Sequence, residues 1–228
     1  MTNYHNKRFP GESTGYREAR NKLLEAEINL RRQTEEVAAL RRMLPYNALL
    51  KEDYVFEETD ESGNLQHTKF SELFEHGKDS LIIYSFMFGP NDEKPCPVCT
   101  SILDGLNGMV FHASQRVNIA VVAKTSIDKL TAWADSKKWK RLRLLSSSGN
   151  TYNTDYFGEN EKGNQLPILN VFHKTAEGVF HFYATELLFA PAEKGQDSRH
   201  VDPIWPLWHL FDYMPEGRGT NWKPKHVY

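Results

Sequence analysis

Residues 80–99 read SLIIYSFMFGPNDEKPCPVC, and this stretch decides the fold. Residues 80–88 are almost entirely apolar, which is typical of a strand buried on both faces of a parallel sheet. A polar loop follows, and Cys96 and Cys99 then stand at the predicted start of a helix. Pro97 fits the first turn of that helix, because no intrahelical bond needs its missing N–H there. The stretch therefore predicts a strand, a loop and a helix with two cysteines at its amino-terminal end.

The chain beyond this helix alternates further strands and helices. Apolar runs predict strands over residues 117–123, 142–146, 167–173 and 179–185, the last two as a hairpin. Helices are predicted from Ser126 to about Lys137 and within residues 202–214. A strand–helix–strand unit places its strands in parallel, whereas a hairpin adds antiparallel strands. We therefore expect an α/β fold in which a mixed β-sheet is flanked by helices on both faces.

Residues 17–44 predict one long amino-terminal helix, which Pro45 ends. One face carries a seam with alternating three- and four-residue steps, formed by Leu23, Ala26, Leu30, Gln33, Val37, Leu40 and Leu44. Two interpretations stay open: the helix lies on its own domain, or it contacts a second copy of the chain in a homodimer. The predicted division is a tail and helical arm over 1–50, an α/β domain over 51–215 and a tail over 216–228.

Composition excludes several classes of function. The 228 residues include 28 basic and 30 acidic side chains, so no basic excess indicates a nucleic-acid partner. The longest apolar run, residues 81–89, is far shorter than the roughly 20 residues of a membrane-spanning helix. Two cysteines are too few for a disulfide-stapled secreted domain, and the first twenty residues lack the apolar stretch of a signal peptide. We therefore expect a cytoplasmic protein without membrane or nucleic-acid partners.

The spacing of Cys96 and Cys99 points to redox chemistry. A helix amino terminus stabilises a thiolate, and the thiolate is the nucleophile in disulfide exchange. We expect Cys96, nearer the loop, to attack a substrate and Cys99 to resolve the mixed disulfide. Lys94 would favour the thiolate, whereas Asp92 and its neighbour Glu93 would oppose it. A structural zinc site, for which the motif supplies two of four ligands, and a pair of small core residues are the alternatives.

The apolar strand, the C-P-V-C motif and the later stretch LPILNVF at 166–172 resemble the thioredoxin superfamily. The resemblance implies a thioredoxin-like fold and a cis-proline at Pro167, which would shape the substrate-binding edge opposite the motif. The longer pattern is similar to a bacterial thioredoxin-like family of unknown function. That similarity covers roughly residues 17–218 and rests on RRMLP, EDYVF, YSFMFGP, DGLNG and the pair VFH and GVFH.

Two departures from these relatives bear on the chemistry. Thioredoxins have a buried acid in the strand before the motif, and residues 81–88 contain none. Peroxiredoxins have Thr or Ser three residues before the reactive cysteine, where this chain has Glu93. Any proton transfer to Cys99 therefore needs Glu93, water or another group.

The sequence thus predicts a thiol–disulfide oxidoreductase with Cys96, Cys99 and Pro167 as its site residues. It would reduce or sense a protein or small-molecule disulfide and take electrons from an external thiol reductant. No nucleotide-binding glycine motif is present, so we expect no cofactor, and we expect no metal. The alternatives are a non-catalytic thioredoxin-like scaffold and a thiol peroxidase.

Overall fold

The chain forms two compact units. A computed structural model describes residues 4–46, 48–219 and 221–228. The first unit comprises Met1–Pro45 and the second comprises Tyr46–Tyr228. No helix in the described part of the chain is long and apolar enough to cross a membrane.

The first unit is dominated by helix α1, Thr14–Arg42. It begins three residues earlier than predicted, because the Ser13 hydroxyl caps it by accepting the N–H of Tyr16 at 3.2 Å. Four large side chains of the seam are between 44% and 61% exposed, namely Leu23, Leu30, Val37 and Leu40. The large apolar side chains of the seam thus form a stripe along one face of the helix.

The second unit is built on one seven-stranded mixed sheet with the order β2-β1-β5-β4-β3-β6-β7. The strands are β1 Val55–Thr59, β2 Leu65–Lys69, β3 Ser80–Ser85, β4 Asn118–Ala123, β5 Arg143–Ser146, β6 Leu169–Thr175 and β7 Gly178–Ala184. The interior strand β3 runs parallel to β4 and antiparallel to β6. The mixed sheet and its flanking helices confirm the predicted thioredoxin-like fold class.

The helices of this unit connect the strands and close the carboxy-terminal end. They are α2 Pro97–Ala113, α3 Ile127–Lys137, α4 Tyr152–Asp155 and α5 Leu207–Asp212, with 3-10 turns at Phe70–Leu73, Glu186–Leu188 and Asp202–Ile204. The predicted helix within 202–214 is thus a 3-10 turn followed by a short α-helix. The interruption coincides with Pro206, which lacks the N–H that a continuous helix would need.

Strand β3 is apolar throughout because both of its faces are covered. Successive side chains of a strand point to opposite faces of the sheet. Leu81 and Ile83 belong to one buried core, with Phe56, whereas Tyr84 belongs to the other, with the helix α2 residue Cys99. This alternation decides which residues of β3 lie on the same side of the sheet as the cysteines.

The edge strand β2 was not predicted. It follows a turn at residues 62–64, where the Asp60 carboxylate accepts the N–H groups of Ser62 and Asn64 at 2.8 Å. Four of its five residues are exposed, so the strand carries no apolar run that a sequence pattern could detect. Its one buried residue, Thr68, donates its hydroxyl to Glu58 of β1 at 2.6 Å.

Candidate redox site

Cys96 lies where the extended segment after β3 turns into α2. Its N–H donates to the Met87 carbonyl at 3.0 Å, and its own carbonyl accepts both the N–H and the hydroxyl of Thr100 at 3.0 Å. Pro97 occupies the first helical position, as predicted from the sequence. Hydrogen bonds on both sides therefore fix the Cys96 backbone at the amino terminus of a helix.

The two cysteines are free thiols that come within 3.6 Å of each other. Cys99 is 1% exposed, whereas Cys96 is partly exposed. A disulfide needs the two sulfurs at about 2.05 Å, a small further approach for side chains already in contact. The pair is therefore placed as a dithiol with one accessible and one buried sulfur.

The pKa shifts of the two thiols have opposite signs. The largest influence on Cys96 is the hydrogen bond from the Cys99 thiol, which lowers the pKa of Cys96 to about 6. The backbone N–H groups of Cys99 and Val98 also lower this pKa, and burial opposes them. The same hydrogen bond, together with burial, raises the pKa of Cys99 well above its ordinary value. At neutral pH the pair therefore carries one negative charge, on Cys96.

Three hydrogen bonds hold the loop before Cys96 in place. The Asp92 carboxylate accepts the Gly89 N–H at 2.7 Å, and Lys129 donates to the Pro90 carbonyl at 3.3 Å. His226, near the carboxy-terminal end, donates from Nε2 to the Pro95 carbonyl at 3.0 Å. Asp92 is thus engaged with its own loop, and the groups that lower the Cys96 pKa lie within the motif.

Cys96 opens on a cleft of about 610 Å³. The charged residues of its lining are Asp92, Lys94, Lys124, Glu159 and Lys162. A cavity of this size accommodates a small ligand or an extended peptide segment. Cys96 is therefore accessible from the cleft, while Cys99 lies behind it in the core.

Nearly the whole chain matches one protein family. The sequence pattern of a family described as "Bacterial protein of unknown function (DUF899)" matches residues 6–228. The chain belongs to this family. The resemblance to a bacterial thioredoxin-like family of unknown function is thereby confirmed.

Several solved structures are similar to this DUF899 chain at low identity. Plasmodium yoelii thioredoxin peroxidase I is 16% identical, with a TM-score of 0.47 over 79% of this chain and 100% of that chain. Reduced 2-Cys peroxiredoxin of Plasmodium vivax is 16% identical, with a TM-score of 0.46 over 73% and 100%. A mutant of Xanthomonas campestris peroxiredoxin Q is 17% identical, with a TM-score of 0.43 over 74% and 97%. A search of curated proteins found no match.

The peptide bond before Pro167 does not have the conformation that the resemblance to the thioredoxin superfamily implied. The described residues contain no cis peptide bond, so the Leu166–Pro167 bond in this DUF899 chain is trans. Gln165 lines the cleft beside Cys96, and Pro167 is not part of that lining. The Pro167 carbonyl instead accepts a hydrogen bond from His200 Nε2 at 2.8 Å. The structure thus joins Cys96 and Cys99 in one site and leaves Pro167 beside it.

Tyr84 is the residue of the site that the sequence analysis missed. It extends from β3 into the core that contains Cys99, and the nearby Cys99 thiol contributes to the raised pKa of its hydroxyl. A signal was present in the sequence, because Tyr84 is the only titratable residue among 81–88. Within the described part of the DUF899 chain, no group of three or more His, Cys, Asp or Glu side chains could hold a metal ion.

Proposed function

We propose that this DUF899 protein is a thiol–disulfide oxidoreductase that uses Cys96 as nucleophile and Cys99 as resolving thiol. One observation carries the proposal: an accessible thiol with a lowered pKa contacts a buried thiol with a raised pKa. The first is a thiolate at neutral pH and opens on the cleft. The second stays protonated until the first has reacted, which orders the two steps.

The electrons and bonds balance as follows. The Cys96 thiolate attacks one sulfur of a substrate disulfide, forms a mixed disulfide and releases the other sulfur as a thiolate. Cys99 then loses its proton and attacks the Cys96 sulfur, which forms the Cys96–Cys99 disulfide and releases the second substrate thiol. Two electrons have passed from the protein dithiol to the substrate, and an external thiol reductant restores the dithiol.

Pro167 is retained as a substrate-positioning residue in this proposal. It lies two residues after Gln165, which lines the cleft next to Cys96. Its fixed φ angle and missing N–H give this edge a rigid backbone whose preceding residue is held extended. A substrate chain in the cleft would pass this edge before its sulfur reaches Cys96.

Trapping tests the proposal. In Cys99→Ser the mixed disulfide formed by Cys96 has no resolving thiol, so the variant should accumulate it. With the chromogenic disulfide dithiobis(nitrobenzoate), we expect Cys99→Ser to release one equivalent of thionitrobenzoate. The native protein should release two, the second from the intramolecular step. Affinity capture of Cys99→Ser from cells would then identify a substrate protein by mass spectrometry.

The alternatives give different results in the same experiment. A non-catalytic scaffold would react slowly, and Cys99→Ser would behave like the native protein. A thiol peroxidase would consume hydrogen peroxide with a thiol reductant, first as a sulfenic acid on Cys96, and would prefer peroxide to disulfides. Either outcome would contradict the oxidoreductase proposal.

We also propose that α1 joins two copies of the chain. The proposal rests on the seam, whose alternating three- and four-residue steps suit a helix pair and whose large side chains are exposed. A second copy presents the same seam, so one surface satisfies both partners.

A charge in the seam should separate the two copies. Leu30→Glu is expected to weaken dimerisation by at least about a hundredfold, since it would bury a carboxylate in the helix contact. Asn29→Glu adds the same charge at an exposed position outside the seam and should leave the dimer intact. Sedimentation velocity measures both; a monomeric native protein would contradict the proposal.

A further inference from the structure

Tyr84 is fully buried beside the cysteine pair in the interior of the redox site. It is 1% exposed and lies on β3, the strand that leads into the cysteine motif. Its neighbours in the same core include Cys99, which is 1% exposed, and Val121 of β4. Tyr84 and the Cys99 thiol thus share one buried core.

The Tyr84 hydroxyl lacks a conventional hydrogen-bond partner. It is a fully buried oxygen that makes no well-formed hydrogen bond in the described structure of the reduced protein. A buried hydroxyl without a partner destabilises the folded state, and such groups in folded proteins call for an explanation. The one titratable side chain within hydrogen-bonding reach is Cys99, which is protonated and therefore a poor acceptor in this state.

We propose that Tyr84 is the hydrogen-bond donor that stabilises the Cys99 thiolate during resolution of the mixed disulfide. The inference rests on the proposed oxidoreductase function. The hydroxyl is unpaired while Cys99 is a thiol and gains a strong, negatively charged acceptor when Cys99 ionises. The hydroxyl therefore has a strong acceptor, the Cys99 thiolate, only while the Cys96–Cys99 disulfide is being formed.

The pKa shifts of Tyr84 and Cys99 show how the hydroxyl acts on the Cys99 thiol. Burial and the neighbouring Cys99 and Cys96 thiols raise the pKa of Tyr84 well above its ordinary value. The phenol thus keeps its proton at neutral pH, where it can donate a hydrogen bond but cannot act as a base. The contact acts on Cys99 in the opposite direction, because a donor beside the sulfur lowers the pKa of that thiol.

The proton of Cys99 does not pass to Tyr84 in this step. It ends on the departing substrate thiolate or in the buffer. The Cys99 thiolate, held by the Tyr84 O–H, attacks the Cys96 sulfur; the Cys96–substrate bond breaks and the Cys96–Cys99 bond forms. Tyr84 starts and finishes this step as a neutral phenol.

The test separates the two steps of the reaction with dithiobis(nitrobenzoate). The first thionitrobenzoate released reports attack by Cys96, and the second reports resolution by Cys99. Tyr84→Phe is expected to leave the first phase within about twofold. It should slow the second phase by about ten- to a hundredfold, the usual size of a hydrogen bond to a charged group. The pH midpoint of the second phase should rise by about one unit.

Tyr152→Phe is the matched control. Tyr152 is as deeply buried as Tyr84 and its hydroxyl also lacks a partner, but it lies in the core on the opposite face of the sheet. Both substitutions remove one unpaired hydroxyl, so both variants should unfold at denaturant concentrations no lower than the native protein does. Tyr152→Phe should leave both phases and their pH profiles unchanged.

The possible failures are distinguishable. If Cys96 does not react in the native protein, the proposed function fails at the first phase. If the first phase is normal and Tyr84→Phe resolves at the native rate with the native pH midpoint, the function stands and the role of Tyr84 is overturned. Equal slowing in Tyr84→Phe and Tyr152→Phe would also overturn it, because the effect would then be a general one on the core.

Discussion

Cys96→Ser is expected to lower the rate of disulfide reduction by more than about a thousandfold. A serine hydroxyl is essentially un-ionised at neutral pH, and no other group in the cleft replaces the thiolate as nucleophile. The rate of thionitrobenzoate release measures the loss, and Cys99→Ser is the control because it keeps the first phase of the reaction. A Cys96→Ser variant that still reduces disulfides at a comparable rate would sink the assignment.

The pH dependence of alkylation checks the physical cause of this reactivity. The pKa of Cys96 is about 6, so alkylation of the native protein by iodoacetamide should be half-maximal near that pH and reach a plateau above it. An ordinary cysteine, with a pKa of about 8.5, is only a few per cent thiolate at pH 7. Cys99→Ala removes the largest cause of the shift and should move the midpoint upward. A native midpoint at or above about 8.5 would contradict the lowered pKa.

The local part of the site could be predicted from the sequence because it depends on residues close together in the chain. The apolar run of 80–88 specifies a strand buried on both faces, and Pro97 specifies the first turn of a helix. Cys96 and Cys99, three residues apart at that turn, must then lie on neighbouring positions of one helix end. Their contact follows from spacing alone, without knowledge of the rest of the fold.

The remainder of the site depends on tertiary packing. Lys124 and Glu159 reach the cleft from segments far away in the sequence, and no local pattern places them beside Cys96. The contact between Tyr84 and Cys99 requires both the strand's alternation and the docking of α2 on that face of the sheet. The bond before Pro167 is trans, although the resemblance implied a cis bond. A resemblance in sequence can locate the proline in the chain, but it does not determine the conformation of the backbone there.

Arg143→Met is expected to lower the free energy of unfolding by about 2–3 kcal/mol at pH 7. Arg143 of β5 donates from Nε and Nη2 to both carboxylate oxygens of Glu58 at 2.9 and 2.7 Å. The Glu58 side chain is 7% exposed and that of Arg143 is 32% exposed, so the variant leaves a nearly buried carboxylate without its charged partner. Urea denaturation followed by circular dichroism measures the loss.

The pH dependence gives this prediction a definite sign. Burial raises the pKa of Glu58, but hydrogen bonds from Arg143, Thr68 and Gln66 outweigh it and hold that pKa below its ordinary value. A carboxyl whose folded pKa is lowered stabilises the protein above its unfolded pKa, and this contribution is lost as the pH falls through the folded pKa. The stability difference between the native protein and Arg143→Met should therefore be full at neutral pH and shrink towards pH 4 and below.

Two controls separate burial from charge in this pair. Lys140→Met breaks an ion pair with Asp135 whose side chains are 72% and 62% exposed, and it should cost less than about 1 kcal/mol. Replacing both Glu58 and Arg143 with Met removes the buried charge together with its partner, and should recover most of the stability lost in Arg143→Met. If the single variant is as stable as Lys140→Met, the carboxylate finds water or another donor, and the pair does not join β1 to β5. A large loss of unfolding free energy in the single variant alone would instead mean that this ion pair holds β1 against β5. Strand β5 lies next to β4, which in turn pairs with β3, the strand that leads to the cysteines.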